Sequence, residues 1–136
     1  MASELRLREE FQQLCQKLFQ VFELLRGKRV SGMSFRVQSG GYDSHFEEIG
    51  KRFPDIDLAI LENGQYNEGW SLIHLMPSDM AKAAKDLKAK KIMTVHHSKY
   101  ALAKHPWNEP LTNEKKMQEQ DSLNMMIPEI GEVMPL

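Results

Sequence analysis

The sequence predicts an α/β protein in which short buried strands alternate with amphipathic helices. Two apolar runs, 57–61 and 92–95, are bounded by polar residues and have the length of buried strands. Between them, Pro77 begins a helix that extends to about residue 89, since a first helical turn accommodates proline well. One face of this helix is apolar and consists of Met80, Ala83, Ala84 and Leu87. The order strand, helix, strand is typical of a layered α/β unit.

Further elements are predicted on both sides of this unit. Residues 3–26 predict a long amphipathic helix, because apolar side chains recur there at spacings of three and four. Residues 33–38 alternate between apolar and polar and predict a half-buried strand, which a short helix over 43–52 follows. Asn113 is predicted to cap a polar helix that ends near residue 125, and residues 131–134 to form a last strand.

The composition argues against several classes of protein. The chain has 136 residues, of which 41% are hydrophobic and 27% charged, and a formal net charge of -1, so no basic excess points to nucleic acid. No apolar run approaches the ~20 residues that a membrane span needs. Cys15 is the single cysteine and cannot form an internal disulfide, and the polar N-terminus lacks the apolar core of a signal peptide. We therefore expect a cytoplasmic protein.

The five histidines differ in their predicted positions. His96 directly follows the buried strand 92–95, and ligands in α/β proteins collect beyond the carboxyl ends of strands. Since neutral imidazole is the commonest metal ligand, this position makes His96 a candidate ligand. His97 should point to the opposite side and be structural or solvated, while His45 and His105 are expected at the surface of loops. The sequence contains no nucleophilic serine motif, phosphate-binding loop or cysteine cluster.

Five segments, in order and at family-like spacing, carry a resemblance to a known family. They are GYDSHFEEIG (41–50), DLAILENGQY (57–66), IHLMP (73–77), TVHHSKY (94–100) and HPWNEP (105–110). Together they resemble the C-terminal part of metallo-β-lactamase-fold hydrolases. Within this family they resemble the branch that is similar to N-acylphosphatidylethanolamine-hydrolysing phospholipase D and to bacterial lactonases. The resemblance covers about residues 40–136, so we divide the chain into residues 1–38, without family resemblance, and residues 39–136, the C-terminal part of such a domain.

The resemblance implies a fold, a cofactor and a set of site residues. The fold would be the C-terminal half of an αββα metallo-β-lactamase-type sandwich, preceded by the long amphipathic helix. The cofactor would be zinc, or iron or manganese, and the chemistry hydrolysis of an ester, lactone or phosphodiester in a small-molecule or lipid-like substrate. His96 takes the place of the last metal-ligand histidine, and His74 that of a catalytic pocket histidine. If the complete site exists, Tyr66 and Trp107 are further candidates to line the substrate pocket, although core or loop packing is the favoured role for both.

The departures from the family pattern matter equally. The signature His-x-His-x-Asp-His is absent, and the ligand histidine midway along the family sequence has no counterpart. At the position of the metal-bridging aspartate stands Ser39, preceded by Gln38, and neither offers a carboxylate to a hard cation. Only His96 of the expected ligand set remains, whereas a catalytic zinc needs about three protein ligands.

These departures leave more than one interpretation of the function. A metal-dependent hydrolase would be active only if a second copy or a complementing chain completed the metal site. The alternative to a zinc, iron or manganese cofactor is that this chain holds no metal. The alternative is a non-catalytic remnant of a truncated or frameshifted gene, or an oligomerising interaction module. In each case we expect the apolar face of the partial sandwich to be covered by helix 3–26 or by a second chain.

Overall fold

The computed structural model describes residues 34–36, 41–100 and 103–135, and of residues 34–36 only the backbone. The predicted helix over 3–26 and the predicted boundary at residue 39 lie outside these residues. The described part forms four strands, three α-helices and one 3-10 turn. In chain order they are β1 (Ser34–Arg36), α1 (His45–Arg52), β2 (Leu58–Glu62), the 3-10 turn (Glu68–Trp70), α2 (Pro77–Leu87), β3 (Lys91–Val95), α3 (Glu109–Glu119) and β4 (Met125–Met126).

The four strands form one parallel sheet in the order β1-β2-β3-β4. In its register Leu58 lies beside Lys91 and Glu62 beside Val95. Helices form the crossovers from β1 to β2, from β2 to β3 and from β3 to β4, as parallel pairing requires. The predicted α/β class is confirmed, and the carboxyl ends of β2 and β3 meet at the same edge of the sheet.

Helix α2 matches its prediction closely. Pro77 occupies its first turn, and all four residues of the predicted apolar face are buried. Helix α1 packs against α2 at Gly50, where an added Cβ would lie 1.8 Å from the carbonyl oxygen of Asp86. Tyr42, just before α1, donates a hydrogen bond to Asp86 Oδ2 at 2.5 Å. The two helices are therefore joined by a close backbone approach that a larger residue at position 50 would prevent.

The core lies between these helices and the sheet. Its fully buried apolar side chains include Phe46, Ile56, Leu61, Leu75, Met80, Leu87 and Ile92. Burying a side chain of this size stabilises the folded state by about 1.5–3 kcal/mol relative to leaving it in water. No helix within residues 41–100 and 103–135 has the length and apolar character to cross a membrane.

Two elements near the C-terminus differ from the prediction. Helix α3 begins at Glu109 instead of Asn113, with Pro110 in its first turn. Asn113 is buried inside the helix, where its Nδ2 donates a hydrogen bond to the Tyr66 hydroxyl at 3.0 Å, so it does not act as a cap. The last strand is Met125–Met126, which pairs with β3 beside Ile92 and Met93, and residues 131–134 form no strand.

Candidate metal centre

The candidate site lies at the carboxyl edge of the sheet, where β2 and β3 end. Glu62 is the last residue of β2, and its side chain is only 2% exposed. His96 is the first residue after β3, and the parallel register places its neighbour Val95 beside Glu62. His74 comes from the segment between the 3-10 turn and α2. Sheet register and a loop that returns to the same edge thus bring together three residues that are distant in sequence.

The Glu62 carboxylate bridges the two imidazoles. Its Oε1 contacts Nδ1 of His74 and lies 2.9 Å from Nδ1 of His96. One ligand atom from each of the three residues lies within 4.8 Å of the others. The two rings stack with centroids 5.9 Å apart and an interplanar angle of 23°. The other carboxylate oxygen, Oε2, is buried and has no hydrogen-bond partner among the described residues.

This donor set fits a divalent cation. Two imidazoles and one carboxylate are the protein ligands of one known class of catalytic zinc site, with metal–ligand distances of about 2.0–2.2 Å. An ionised carboxylate is costly to bury unless it is paired, and Glu62 keeps one oxygen without a partner in the described part of the chain. A cation at this edge would neutralise the buried charge.

The geometry permits two ways of holding the ion. Glu62 could bind it directly, together with a ring nitrogen of each histidine. Alternatively, Glu62 could keep accepting hydrogen bonds from both Nδ1 atoms, which leaves Nε2 as the remaining ligand atom of each ring. The second arrangement is the carboxylate–histidine pairing that orients the ligand rings at many metal sites. The His96 side chain is 42% exposed, so the cluster is open to solvent on that side.

The structure brings together His74 and His96, the two histidines that the resemblance singled out. Sequence reasoning missed Glu62. The one available signal was its position directly after the predicted strand 57–61, which is the strand end where ligands collect in α/β proteins.

The two predicted pocket residues lie in different surroundings. Tyr66 is only 6% exposed, and its hydroxyl donates a hydrogen bond to Glu109 Oε1 at 2.7 Å. Burial and this hydrogen bond raise the pKa of Tyr66. Its ring stacks on His105 at a centroid distance of 4.1 Å. Trp107, by contrast, is 60% exposed, and its ring is therefore accessible from solvent. The Tyr66 hydroxyl is already engaged in its hydrogen bond to Glu109.

The other three histidines lie outside the cluster and pack against other side chains of the protein. His97 is mostly buried and contacts Thr94 and Glu114, as the structural alternative for this residue anticipated. His45 and His105 are half-buried instead of lying fully at the surface. The ring of His45 packs against Phe46, and burial lowers the pKa of His45.

Comparisons with known proteins point to one family. The family model described as "Beta-lactamase superfamily domain" matches residues 26–97. The outer membrane protein RomA of Klebsiella pneumoniae is 50% identical over 56 residues, which cover 41% of this chain and 42% of RomA. An uncharacterized protein of Mycobacterium tuberculosis is 30% identical over 95 residues, covering 68% of this chain and 26% of that protein. The matched segments therefore span about a quarter to two fifths of the length of these curated relatives.

A solved structure supports the same fold. A metallo hydrolase from the hyperthermophilic archaeon Ignicoccus hospitalis superposes with a TM-score of 0.55 at 15% sequence identity. The superposition covers 72% of this chain and 39% of the archaeal protein. At this identity the likeness shows the fold alone, and it confirms that the described sheet and helices correspond to part of a metallo hydrolase fold.

Proposed function

Because the chain belongs to the β-lactamase superfamily domain family, we propose that it forms part of a metal-dependent hydrolase in which Glu62, His74 and His96 face one divalent cation. The observation that carries this proposal is the convergence of one buried carboxylate and two imidazoles at the carboxyl edge of the sheet. The ion would be zinc, iron or manganese. The reaction would be hydrolysis of an ester, lactone or phosphodiester in a small-molecule or lipid-like substrate.

The three residues would have distinct roles. A bound divalent cation supplies Lewis acidity and lowers the pKa of a coordinated water. His96, the most exposed of the three, would hold the ion on the side open to solvent. Glu62 would either ligate the ion or fix the orientation of both rings through their Nδ1 atoms. His74 has Nδ1 in contact with the same carboxylate oxygen, so its Nε2 would either hold the ion beside His96 or, as the resemblance implies, contact the scissile group of the substrate.

The substrate would enter beside exposed aromatic residues. The ring of Trp70 lies 5.8 Å from that of His74, and it is 40% exposed. The exposed ring of Trp107 would contact the substrate, whereas Tyr66 would contribute through its ring or by supporting the loop. The single cysteine and the ordinary composition support a cytoplasmic location.

Catalysis would require residues from elsewhere. The chain lacks the family signature His-x-His-x-Asp-His, and its matches span less than half of the curated relatives. We therefore propose that residues outside the matched segments complete the centre, with a second copy or a complementing chain as one source of them.

One observation favours a second candidate function, an oligomerising module without catalysis. Three large apolar side chains next to the centre, Trp70, Leu72 and Ile73, are exposed. Adjacent exposed apolar residues commonly mark an interaction surface.

Metal content of the purified chain tests the proposal. We expect near-stoichiometric zinc, iron or manganese by elemental mass spectrometry, lost in His96→Ala and reduced in Glu62→Gln. His105→Gln is the matched control, because it removes a half-buried histidine that lies outside the cluster. Metal that is absent from the unsubstituted chain, or retained in His96→Ala, would contradict the metal centre and leave the interaction module as the better interpretation.

A further inference from the structure

A second buried polar group lies directly behind the candidate centre. Two of its members, Asn63 and His97, each follow a residue of the centre in sequence, Glu62 and His96 respectively. The other two members are Thr94 of β3 and Glu114 of α3. We call these four residues, Asn63, Thr94, His97 and Glu114, the strand-end anchor.

Hydrogen bonds connect all four residues of the strand-end anchor. The Thr94 hydroxyl donates to Glu114 Oε1 and accepts from Asn63 Nδ2 at 3.2 Å. Nε2 of His97 lies 3.0 Å from Thr94 Oγ1 and 3.3 Å from Glu114 Oε1. Asn63 Nδ2 also donates to the carbonyl oxygen of Pro110 in the first turn of α3, at 2.8 Å. Helix α3 is thereby tied to the ends of both strands that supply the centre.

The turn that follows β3 has an unfavourable backbone. His96 has φ +71° and Ser98 has φ +66°, both in the left-handed region that non-glycine residues seldom adopt. Such conformations persist where the surrounding structure holds them, and they concentrate at functional sites. His97 lies between the two, with Nδ1 2.7 Å from the Ser98 hydroxyl and Nε2 directed into the strand-end anchor. The anchor therefore holds the middle of the strained turn.

Burying the carboxylate of Glu114 in the strand-end anchor is energetically unfavourable. Glu114 is only 2% exposed, and its Oε2 has no hydrogen-bond partner among the described residues. A buried carboxylate that is incompletely paired contributes little to stability compared with a well-packed apolar residue. Packing alone therefore does not explain why a glutamate occupies this position. A role in fixing the positions of His97 and Thr94 does explain it.

We propose that Glu114 is a positioning residue, which acts through His97 and Thr94 to keep His96 in its left-handed conformation and so fixes the His96 ring against Glu62. This inference rests on the proposed metal-binding function. Residues that orient metal ligands from behind change metal affinity by about 10–100-fold when they are replaced.

The test compares Glu114→Ala with Met117→Ala. Met117 is also buried on α3, one turn further along, and it takes no part in the strand-end anchor. We expect both variants to lower the melting temperature. Only Glu114→Ala should shift the His96 imidazole signals in ¹H–¹⁵N NMR spectra of the metal-free protein, and only it should weaken zinc binding by about tenfold or more in a chelator competition. Glu114→Gln, which keeps an acceptor oxygen for Thr94, should recover most of the affinity.

Two outcomes would overturn the inference, and a second variant guards against loss of folding. If Glu114→Ala matches Met117→Ala in both His96 signals and zinc affinity, Glu114 is merely structural. If Glu114→Ala does not fold, Thr94→Val removes the central hydroxyl at nearly constant volume, and unchanged His96 signals in it would equally refute the anchor. Absence of zinc binding by the unsubstituted protein would refute the proposed function, while the metal-free NMR comparison would still decide the role of Glu114.

Discussion

Replacing Gly64 by alanine adds only one methyl group, yet it should lower both the stability of the protein and the affinity of the candidate centre for zinc. Gly64 follows Glu62 and Asn63, and a Cβ built on it would lie 2.0 Å from the carbonyl oxygen of His96. Contacts below 3.0 Å do not occur at real Cβ atoms, so the two backbones must separate by at least about 1 Å. The hydrogen bond from Asn63 N to Val95 O, 3.0 Å long, opposes this separation.

The magnitude follows from that displacement. Forcing an extra methyl group into a filled space costs about 1–3 kcal/mol of unfolding free energy. At roughly 4 °C per kcal/mol for a chain of this length, the melting temperature should fall by about 4–12 °C. Because the displaced atoms belong to His96 itself, zinc affinity should fall by about 10–100-fold, as it does when the orientation of a ligand is lost.

The assay measures the melting temperature and the zinc affinity, by chelator competition, of Gly64→Ala and of the control variant Gly69→Ala. An added Cβ at Gly69 meets only the Asn67 side chain, at 3.4 Å, so that variant should behave like the unsubstituted chain. If Gly64→Ala proves as stable as Gly69→Ala and binds zinc equally well, the loops after β2 and β3 do not approach each other as described, and the reasoning about the centre fails with them.

Two further predictions concern the rest of the domain. Leu87 is fully buried on α2, so Leu87→Ala should lower the free energy of unfolding by about 2–5 kcal/mol in urea titrations, and a loss near zero would show that α2 does not pack on the core. Burial lowers the pKa of His45 below its ordinary value of 6.5, so below that pH the unfolded chain binds more protons than the folded one. The free energy of unfolding of the metal-free protein should therefore decrease as the pH falls from about 7 towards 5, and His45→Gln should flatten this dependence; an unchanged slope would exclude His45 as its source.

Elements with strong local signals could be predicted from the sequence. The sequence predicts helix α2 over 77–89 and the helix spans Pro77–Leu87, since proline at the start and apolar residues at helical spacing are both local features. The sequence likewise predicts strand β3 over 92–95, and the strand spans Lys91–Val95. Contacts that depend on the tertiary fold were missed. Asn113 resembles a helix cap in sequence, yet it lies inside α3, where its side chain donates a hydrogen bond to the buried Tyr66 hydroxyl.

The candidate site was predictable only in part, and for the same reason. The resemblance identified His74 and His96, because each stands in a recognisable motif. Glu62 carries no motif of its own, and its importance arises from parallel pairing that places it opposite Val95. The short strand Met125–Met126 likewise exists because β3 offers it an edge, and no local pattern at these residues distinguishes them from the apolar residues near 131–134.

The three residues of the centre belong to a single segment, residues 62–96, with His74 and His96 lying 12 and 34 residues from Glu62 along the chain. The entropic cost of bringing residues together grows only slowly with the length of the loop between them, so closing the longer span to His96 costs little more than closing the span to His74. The three side chains can therefore converge within one strand–helix–strand unit, and contacts from Glu114 of α3 to Thr94 and His97 are added from outside it. A duplication, fusion or exchange that carries this segment intact therefore carries Glu62, His74 and His96 together, but leaves Glu114 behind.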